Sequence, residues 1–186
     1  MEEWLDKRIF SWIIDRKDII IKVNDNFLDF ALENGAPQLT GEAMINRPLW
    51  SFIAGMETVQ LYLLILEKVR KQGSRLSYPF RCDSPECRRF LELQVSPLQA
   101  DCVNFSSRIL RVEFREPVKL LEPVIRSDQF LRICSWCKKI YCMGQWLEIE
   151  MAVKILDLFA EVELPRLTHG ICDPCFELVR KSLTST

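Results

Sequence analysis

Two Cys-x-x-Cys pairs near the C-terminal end of the chain have the spacing of a metal site. They are Cys134 with Cys137 and Cys172 with Cys175, and 34 residues separate them. Two residues between paired cysteines form a tight turn that directs both sulfur atoms at one ion, and a second such turn completes a tetrahedron. We expect one structural zinc ion. A rubredoxin-like iron site would use the same four thiolates, and a redox-active disulfide pair is a third interpretation.

Other residues could also take part in such a site. His169 is the sole histidine and comes three residues before Cys172. It could replace one thiolate, but the four cysteines already complete the site, so we expect it to donate a hydrogen bond from outside the ligand set. Cys142 is an alternative ligand that we predict to be a small buried residue instead. The remaining cysteines are predicted to be core or turn residues: Cys82, Cys87 and Cys102.

Composition and missing motifs argue against several classes of function. The net charge is −1, so the protein has no overall positive electrostatic field that would favour binding to nucleic acid. The chain has no Gly-x-Gly-x-x-Gly, Gly-x-x-x-x-Gly-Lys, His-Glu-x-x-His or Gly-x-Ser-x-Gly motif. Four cysteine ligands also leave no open position for a catalytic metal. We therefore predict a protein that is not an enzyme and has no catalytic residues. Without a signal sequence or a membrane span, a reducing cytosol is the expected compartment.

Hydrophobic periodicity predicts the elements of the first half of the chain. Residues 4–14 have one apolar helical face, although part of this segment could begin a strand instead. A β-branched strand is expected at 19–23. A helix capped by Asn24 should follow and end at Gly35. After irregular turns at 36–56, a helix is expected from Glu57 to Lys71, apolar almost all round and so covered on more than one side.

After this helix, apolar and polar residues alternate with a period of two. Strands are predicted over 75–82, 91–96 and 110–115, the last with Leu110, Val112 and Phe114 on its apolar face. Short links between the three strands indicate an antiparallel meander. The predicted fold class is α+β: a five-stranded antiparallel sheet with helices on one face, followed by a small zinc-binding module.

The first part of the chain resembles the PAS sensory domain. The resemblance covers roughly residues 8–116 and depends on the order of elements together with three local segments: 23–27, 47–50 and 78–85. We divide the chain into a PAS-like domain at 1–117, a connector at 118–131 and a zinc-binding module at 132–186.

The end of the chain resembles the zinc-ribbon-like ending of bacterial PAS-containing and response-regulator signalling proteins. The matching segments are 133–140 and 168–175, with Trp146 and Glu150 between them. One helical face is predicted to pack beside the metal: Trp146, Ile149, Val153, Leu156 and Phe159. The resemblance implies a bacterial signalling context.

The PAS resemblance implies sensing or protein association through a cavity between helices and sheet. Residues that could contact a small ligand there are Phe30, Trp50, Phe52, Tyr78 and Phe80, although aromatic residues at such spacing also form ordinary cores. Histidine-ligated haem is not expected, since the first domain has no histidine, and the flavin-linked cysteine chemistry of light sensors is not transferred to Cys87. A homodimer through the segment from Trp4 to Trp12 is a PAS-like expectation.

Two other functions stay open at this stage. One is nucleic-acid binding by scattered basic residues of the tail: Lys138, Lys139, Arg166, Arg180 and Lys181. The other is thiol redox switching at the cysteine pairs.

Overall fold

A computed structural model describes residues 6–122, 125–158 and 163–184. Its first sheet has five antiparallel strands in the order β2-β1-β5-β4-β3. The strands are β1 (Ile9–Ile14), β2 (Ile20–Val23), β3 (Leu76–Arg81), β4 (Cys87–Pro97) and β5 (Val103–Phe114). Between β2 and β3 lie α1 (Asp25–Glu33), α2 (Gly41–Met44) and α3 (Met56–Gln72).

The helices cover one face of this sheet. Cross-strand registers align Trp12 with Phe105, Phe105 with Val95, and Val95 with Leu76, so these side chains share a face. This face forms one core with the buried residues of α3. The opposite face has polar partners such as Ser106 opposite Gln94. The predicted α+β class, with five antiparallel strands and helices on one face, is confirmed.

The helical interpretation of residues 4–14 is wrong for residues 9–14, and the alternative, that part of this segment begins a strand, is confirmed. Ile9–Ile14 is strand β1, paired with both β2 and β5. Phe10 and Ile14 are buried and Trp12 packs against the same core, so every second residue faces the helices. Strand periodicity therefore outweighed the helical pattern, which depended on Trp4 and Leu5. Those two residues lie outside the described part of the chain.

The predicted third strand was too short, and its apolar face was assigned wrongly. Strand β5 begins at Val103 and buries Val103, Phe105 and Ile109. The register with β4 shifts between Phe90 and Leu91, so the alternation changes beyond Ile109. As a result Leu110 and Phe114, expected in the core, are 45% and 80% exposed.

The other helical predictions of this half agree with the structure in outline. Asn24 accepts a hydrogen bond from the amide of Phe27 as the N-cap of α1. Helix α3 ends at Gly73, whose φ of 64° suits a residue without a side chain. The first sheet and a C-terminal helix both pack on α3, so it is covered on more than one side as predicted, while Leu63 and Leu64 are exposed. None of the described helices is long and apolar enough to span a membrane.

A second sheet of four strands follows, in the order β8-β7-β6-β9. Its strands are β6 (Arg126–Cys134), β7 (Ile140–Cys142), β8 (Gln145–Leu147) and β9 (Leu164–Gly170). Strands β6 and β9 pair in parallel, and α4 (Ile149–Ile155) lies between β8 and β9 in the chain. Helix α5 (Asp173–Thr184) ends the described chain. Residues 126–131, predicted as connector, are the first part of β6.

The helix predicted around Trp146 is shorter and lies elsewhere than expected. Trp146 is in strand β8, where it packs against the cluster that contains the cysteines, and Phe159 lies outside the described residues. Ile149 and Val153 of α4 are buried in a separate core with Ile133, Ile140 and other residues of the second sheet, not against the cysteine pairs.

The cysteine pairs belong to the core of the first sheet. Cys134, Trp136, Ile171, Cys172 and Val179 join the cluster that contains the buried residues of α3 and of strands β1 to β5. The cysteine turns and α5 therefore belong to the core of the first sheet, whereas the rest of the second sheet has its own core.

Candidate metal centre and adjoining cavity

Parallel pairing of β6 with β9 brings the two cysteine pairs to the same end of the second sheet. Cys134 is the last residue of β6, and its register partner Gly170 is the last residue of β9. The chain turns after each strand, so Cys137 follows one end and Cys172 the other. Cys175 lies in the first turn of α5. The amide of Ser135 donates a 2.8 Å hydrogen bond to the carbonyl of Gly170 and ties the two turns together.

The four sulfur atoms have the separation that a tetrahedral metal requires. Metal–sulfur bonds of about 2.3 Å place the sulfurs about 3.8 Å apart. The Sγ atoms of Cys137 and Cys172 are 3.7 Å apart, and all four sulfurs lie within 4.8 Å of one another. The predicted cluster is therefore present, and its donor set suits zinc or iron.

The protonation of these thiols shows why the cluster suits a cation. Hydrogen bonds from Cys137, Cys172 and Cys175 lower the pKa of Cys134, and the amide of Cys137 adds to this effect. The same interaction with Cys134 raises the pKa of Cys175. Within the cluster the pKa values of Cys134 and Cys172 are lowered while those of Cys137 and Cys175 are raised, because thiolates at this distance repel one another. A divalent cation removes that conflict.

Backbone geometry supports the ligand turns. The amide of Cys172 donates to Cys134 Sγ at 3.4 Å, and the amide of Phe176 donates to the carbonyl of Cys172 at 2.9 Å. Lys138 has a φ of 62° and its ammonium group donates to the carbonyl of Ser135 at 2.8 Å. Its charge lies close to the cysteines, where it offsets negative charge.

The other predicted site residues lie outside the sulfur cluster. The side chain of His169 is not in the group of four ligand atoms, and burial lowers the pKa of its imidazole. A hydrogen bond from His169 to a ligand stays a prediction. Cys142 is buried in the separate core of the second sheet. Cys82, Cys87 and Cys102 lie in or beside the turns that join β3, β4 and β5, as expected.

Trp136, between the first pair of cysteines, docks the metal centre on the first sheet. Its indole Nε1 donates to the carbonyl of Pro79 at 2.7 Å, and its own carbonyl accepts from the amide of Arg81 at 2.8 Å. The ring lies between Tyr62 of α3 and Tyr78 of β3, with centroids 5.9 Å from each. Only 4% of Trp136 is exposed. Sequence analysis missed this residue, although a large aromatic residue inside a cysteine turn was a visible signal.

A cavity of about 350 Å³ lies between the helices and the first sheet. Its lining is entirely apolar or aromatic: Trp12, Ile20, Phe27, Leu39, Met44, Leu49, Phe52, Ile53 and Tyr62. This volume is within the range of small-molecule sites. Tyr62 also contacts Trp136, so one side chain connects the cavity with the metal centre.

Of the five aromatic residues predicted to line a ligand cavity, Phe52 does so. Phe30 packs on Phe10 with ring centroids 4.5 Å apart, and Trp50 donates its Nε1 hydrogen to Asp18 at 3.2 Å. Tyr78 contacts Trp136, and Phe80 packs at the edge of the core. The cavity is therefore built by a largely different set of side chains, in which Trp12 and Tyr62 were not anticipated.

One buried polar atom of a cavity-lining residue has no hydrogen-bond partner in the described part of the chain. This atom is the indole Nε1 of Trp12. No residue in the described part of the chain hydrogen bonds to the Tyr62 hydroxyl, and burial raises the pKa of Tyr62 to about 12. A buried tryptophan N–H group ordinarily has a partner, so the Trp12 donor departs from the usual pattern.

An ion-pair network forms a second junction between the two halves. Arg81, at the end of β3, pairs with Asp83 at 2.5 Å and with Glu148 at 2.8 Å. Glu150 in α4 pairs with Arg88 at 2.7 Å and with Arg115 at 2.6 Å. The Asp83 side chain is 1% exposed and that of Arg81 is 7% exposed, so these charges depend on each other for compensation.

The basic residues considered for nucleic-acid binding are largely engaged within the protein. Arg166 pairs with Asp128 at 3.2 Å, and Arg180 pairs with Glu177 at 2.7 Å. Lys138 is bonded to Ser135. These contacts reduce the positive charge that the tail offers to a phosphate backbone.

No protein-family model and no curated protein sequence matches the chain. Among solved structures, a sensory box sensor histidine kinase from Vibrio cholerae is similar at 13% identity and a TM-score of 0.43, over 56% of this chain and 83% of that chain. The photoactive yellow protein domain of the sensor histidine kinase Ppr from Rhodospirillum centenum is similar at 13% identity and a TM-score of 0.42, over 57% of this chain and 90% of that chain. The PAS domain of an HTR-like protein from Haloarcula marismortui is similar at 17% identity and a TM-score of 0.38, over 59% and 92%.

The strand order, the helices on one face and the cysteine cluster agree with the resemblance inferred from the sequence. The first part of the chain has a PAS-like fold, and a four-cysteine cluster that could hold a metal ion is built against it.

Proposed function

We propose that this chain is a non-catalytic signalling protein in which a PAS-like domain senses a small molecule and a structural zinc centre transmits the change. The observation that carries the proposal is the position of Tyr62. This residue lines the apolar cavity and also packs against Trp136, which lies between two of the cysteines. Occupation of the cavity that moves Tyr62 would therefore alter the packing of the metal centre.

Helix α5 is the element that would respond. It begins at the second cysteine pair, and its Val179 is fully buried in the shared core. Ser182 donates to the Tyr78 hydroxyl at 3.1 Å, and Lys68 of α3 donates to the carbonyl of Leu183 at 2.8 Å. A change at the metal centre would alter how α5 lies on α3, and hence the surface offered to a protein partner.

Zinc is the metal we propose, because the site has four sulfur ligands and no position for a substrate. A bound zinc ion compensates four thiolates without redox chemistry, whereas iron in the same ligands would make the protein coloured. Native mass spectrometry of protein purified without added metal distinguishes the two. It also reports retained small molecules and the oligomeric state.

A cytoplasmic bacterial setting and a homodimer are further parts of the proposal. Free cysteines, eight in all, suit a reducing compartment. Dimerisation through residues 4–12 is tested by a deletion that ends before β1, because residues 9–12 belong to that strand. Removal of residues 1–5 leaves that strand intact. Light scattering should then report a monomer, and an unchanged dimer mass would reject this interface.

Metal release tests the link between cavity and zinc. Tyr62→Leu removes the ring that contacts Trp136, and we expect zinc transfer to a chromogenic chelator to become about tenfold faster. Leu63→Ala, one residue further along α3 but 39% exposed, is the matched control and should leave the rate unchanged. Equal release rates for Tyr62→Leu and the unmodified protein would reject the transmission route.

A further inference from the structure

One face of the second sheet packs on α4, and the other face is covered at one end only. The registers align Arg132 with Tyr141 and Tyr141 with Trp146 on this other face. Trp146 packs against the core of the first sheet, and Arg132 pairs with Glu57 of α3, so the end near the cysteines is covered. Phe130 shares this face of β6 with Arg132, because the two residues are two positions apart. It lies further from the cysteines and is 60% exposed.

Three side chains form an exposed patch at the uncovered end, which we call the Phe130 patch: Asp128, Phe130 and Arg166. Arg166 of β9 is the register partner of Phe130, and its guanidinium lies 6.0 Å from the centre of the Phe130 ring. Arg166 also pairs with Asp128 at 3.2 Å, and these two side chains are 52% and 98% exposed. An exposed pair of this kind contributes about 0–1 kcal/mol to stability, so its members can exchange partners at little cost.

The Phe130 patch is complementary to itself. Successive residues of a strand rise by about 3.3 Å, so Asp128 lies about 7 Å along β6 from the level of Phe130 and Arg166. A two-fold axis parallel to the sheet, crossing β6 between Asp128 and Phe130, would bring Asp128 of each copy opposite Arg166 of the other. Four charges would then alternate in sign around the axis, and such networks contribute more than isolated pairs. The same contact would cover both phenylalanine rings.

The charge of the Phe130 patch favours a second copy over other occupants. The patch has one acidic and one basic side chain and is neutral, so it offers no net attraction to a nucleic acid or to a strongly charged peptide. Its acid and its base instead meet each other when the patch is rotated onto itself. A second copy of the chain supplies both complementary charges at once.

We propose that the Phe130 patch of one chain binds the same patch of a second copy. This contact is separate from the N-terminal segment considered above and goes beyond the proposed sensing function. A patch of this size gives an interface at the lower end of the known range, and we expect a dissociation constant of about 100 µM. The contact is therefore largely dissociated at a few micromolar, where the deletion of residues 1–5 is tested by light scattering.

Sedimentation equilibrium of the full, zinc-loaded chain tests the contact at about 5 µM and about 300 µM. For the unmodified protein, the weight-average mass should be about 1.5-fold larger at the higher concentration. Asp128→Arg and Arg166→Glu should each abolish this increase, because either substitution places like charges opposite each other twice in the pair. A 1:1 mixture of the two variants should restore the increase, since each contact between the two chains then joins opposite charges.

The exposed ion pair of α5 supplies matched control variants. Glu177 and Arg180 pair at 2.7 Å, and their side chains are 44% and 53% exposed. Glu177→Arg and Arg180→Glu make the same kinds of charge reversal outside the Phe130 patch. Each should keep the increase in mass at the higher concentration.

A second measurement locates the contact without any variant. In ¹⁵N–¹H spectra of the unmodified protein, the amide resonances of Phe130 and Arg166 should shift as the concentration rises. The amide of Lys154, in α4 on the opposite face of the second sheet, should not shift. The inference therefore stays testable if a charge-reversed variant fails to fold.

Each other outcome decides against the contact. A mass that does not rise with concentration would reject self-association through the Phe130 patch. An increase that survives in both Asp128→Arg and Arg166→Glu, or shifts confined to other residues, would assign the association to another surface. If the mixture of the two variants fails to restore the increase, the reciprocal pairing about a two-fold axis is rejected. The mass at about 5 µM reports the N-terminal dimer separately, so failure of one contact is distinguished from failure of the other.

Discussion

Trp136 and Pro79 are joined by a 2.7 Å hydrogen bond from the indole Nε1 to the Pro79 carbonyl. Pro79 lies in β3, the edge strand of the first sheet, and the amide of Arg81 in the same strand donates to the carbonyl of Trp136. These bonds satisfy backbone groups that an open sheet edge would expose. The cysteine turn thus caps this edge of the sheet, so the four-cysteine cluster is built onto the PAS-like fold.

Replacement of Trp136 by phenylalanine should destabilise the protein. The variant Trp136→Phe keeps a ring beside Tyr62 and Tyr78 but leaves the Pro79 carbonyl without its indole donor. We expect the free energy of unfolding in urea to fall by about 1–2 kcal/mol. Trp146→Phe, which removes an indole that makes no bond to the first sheet, is the control. Equal losses in the two variants would contradict a special role for the Pro79 bond.

Gly55 precedes α3 and lies against the strand that leads to the second cysteine pair. Its φ is 90°, and a Cβ there would be 2.8 Å from the backbone oxygen of His169. Gly55→Ala should therefore cost about 2–3 kcal/mol in unfolding free energy and speed zinc release. Gly73→Ala is the matched control, because Gly73 also has a positive φ but nothing lies within 4 Å of its Cβ position. Gly73→Ala should cost about 1 kcal/mol. An equal loss of unfolding free energy in the two variants would show that the close contact with the His169 backbone does not affect stability.

The ion pairs of Glu150 predict a pH dependence of stability. Burial alone raises the pKa of Glu150, but hydrogen bonds from Arg88 and Arg115 lower it to about 2, from an ordinary value of 4.5. A carboxyl group whose pKa is lower in the folded state stabilises the fold above pH 4.5, and this contribution is lost as the pH falls toward 2. Because the Glu150 side chain is 32% exposed, we expect its ion pairs to contribute about 1–2 kcal/mol to the free energy of unfolding.

At pH 7, the free energy of unfolding in urea should be lower for Glu150→Gln than for the unmodified protein. This difference in unfolding free energy should narrow from about pH 4.5 downward, where both proteins release zinc and only the carboxyl group distinguishes them. Glu177→Gln, which disrupts an exposed pair with Arg180, should have almost no effect at either pH. A gap that persists unchanged at pH 3 would contradict the assignment to the carboxylate.

The four-cysteine cluster and the order of elements could be predicted because their signals are local. The spacing of two cysteines sets the geometry of a turn, and periodicity over a few residues separates α3 from β3. The N-cap at Asn24 and the end of α3 at Gly73 follow from single residues. These features depend little on what packs against them.

Features that depend on distant partners could not be predicted from the sequence. The shift in register near Leu91 is decided by pairing with β5, and it turns Leu110 outward. Strand β9 forms because its parallel partner β6 lies beside it, more than thirty residues away in the chain. The cavity lining likewise depends on Trp12 in β1 meeting Tyr62 in α3.

The most direct test of the central claim is hydrogen exchange at the Arg81 amide, measured by NMR before and after zinc removal with a chelator. If the metal centre completes the first sheet, zinc removal should release the Trp136 carbonyl from this amide and accelerate its exchange at least tenfold. The double variant Cys137→Ser, Cys175→Ser should show fast exchange from the start and no response to the chelator. An Arg81 amide that is equally protected with and without the metal would contradict the claim.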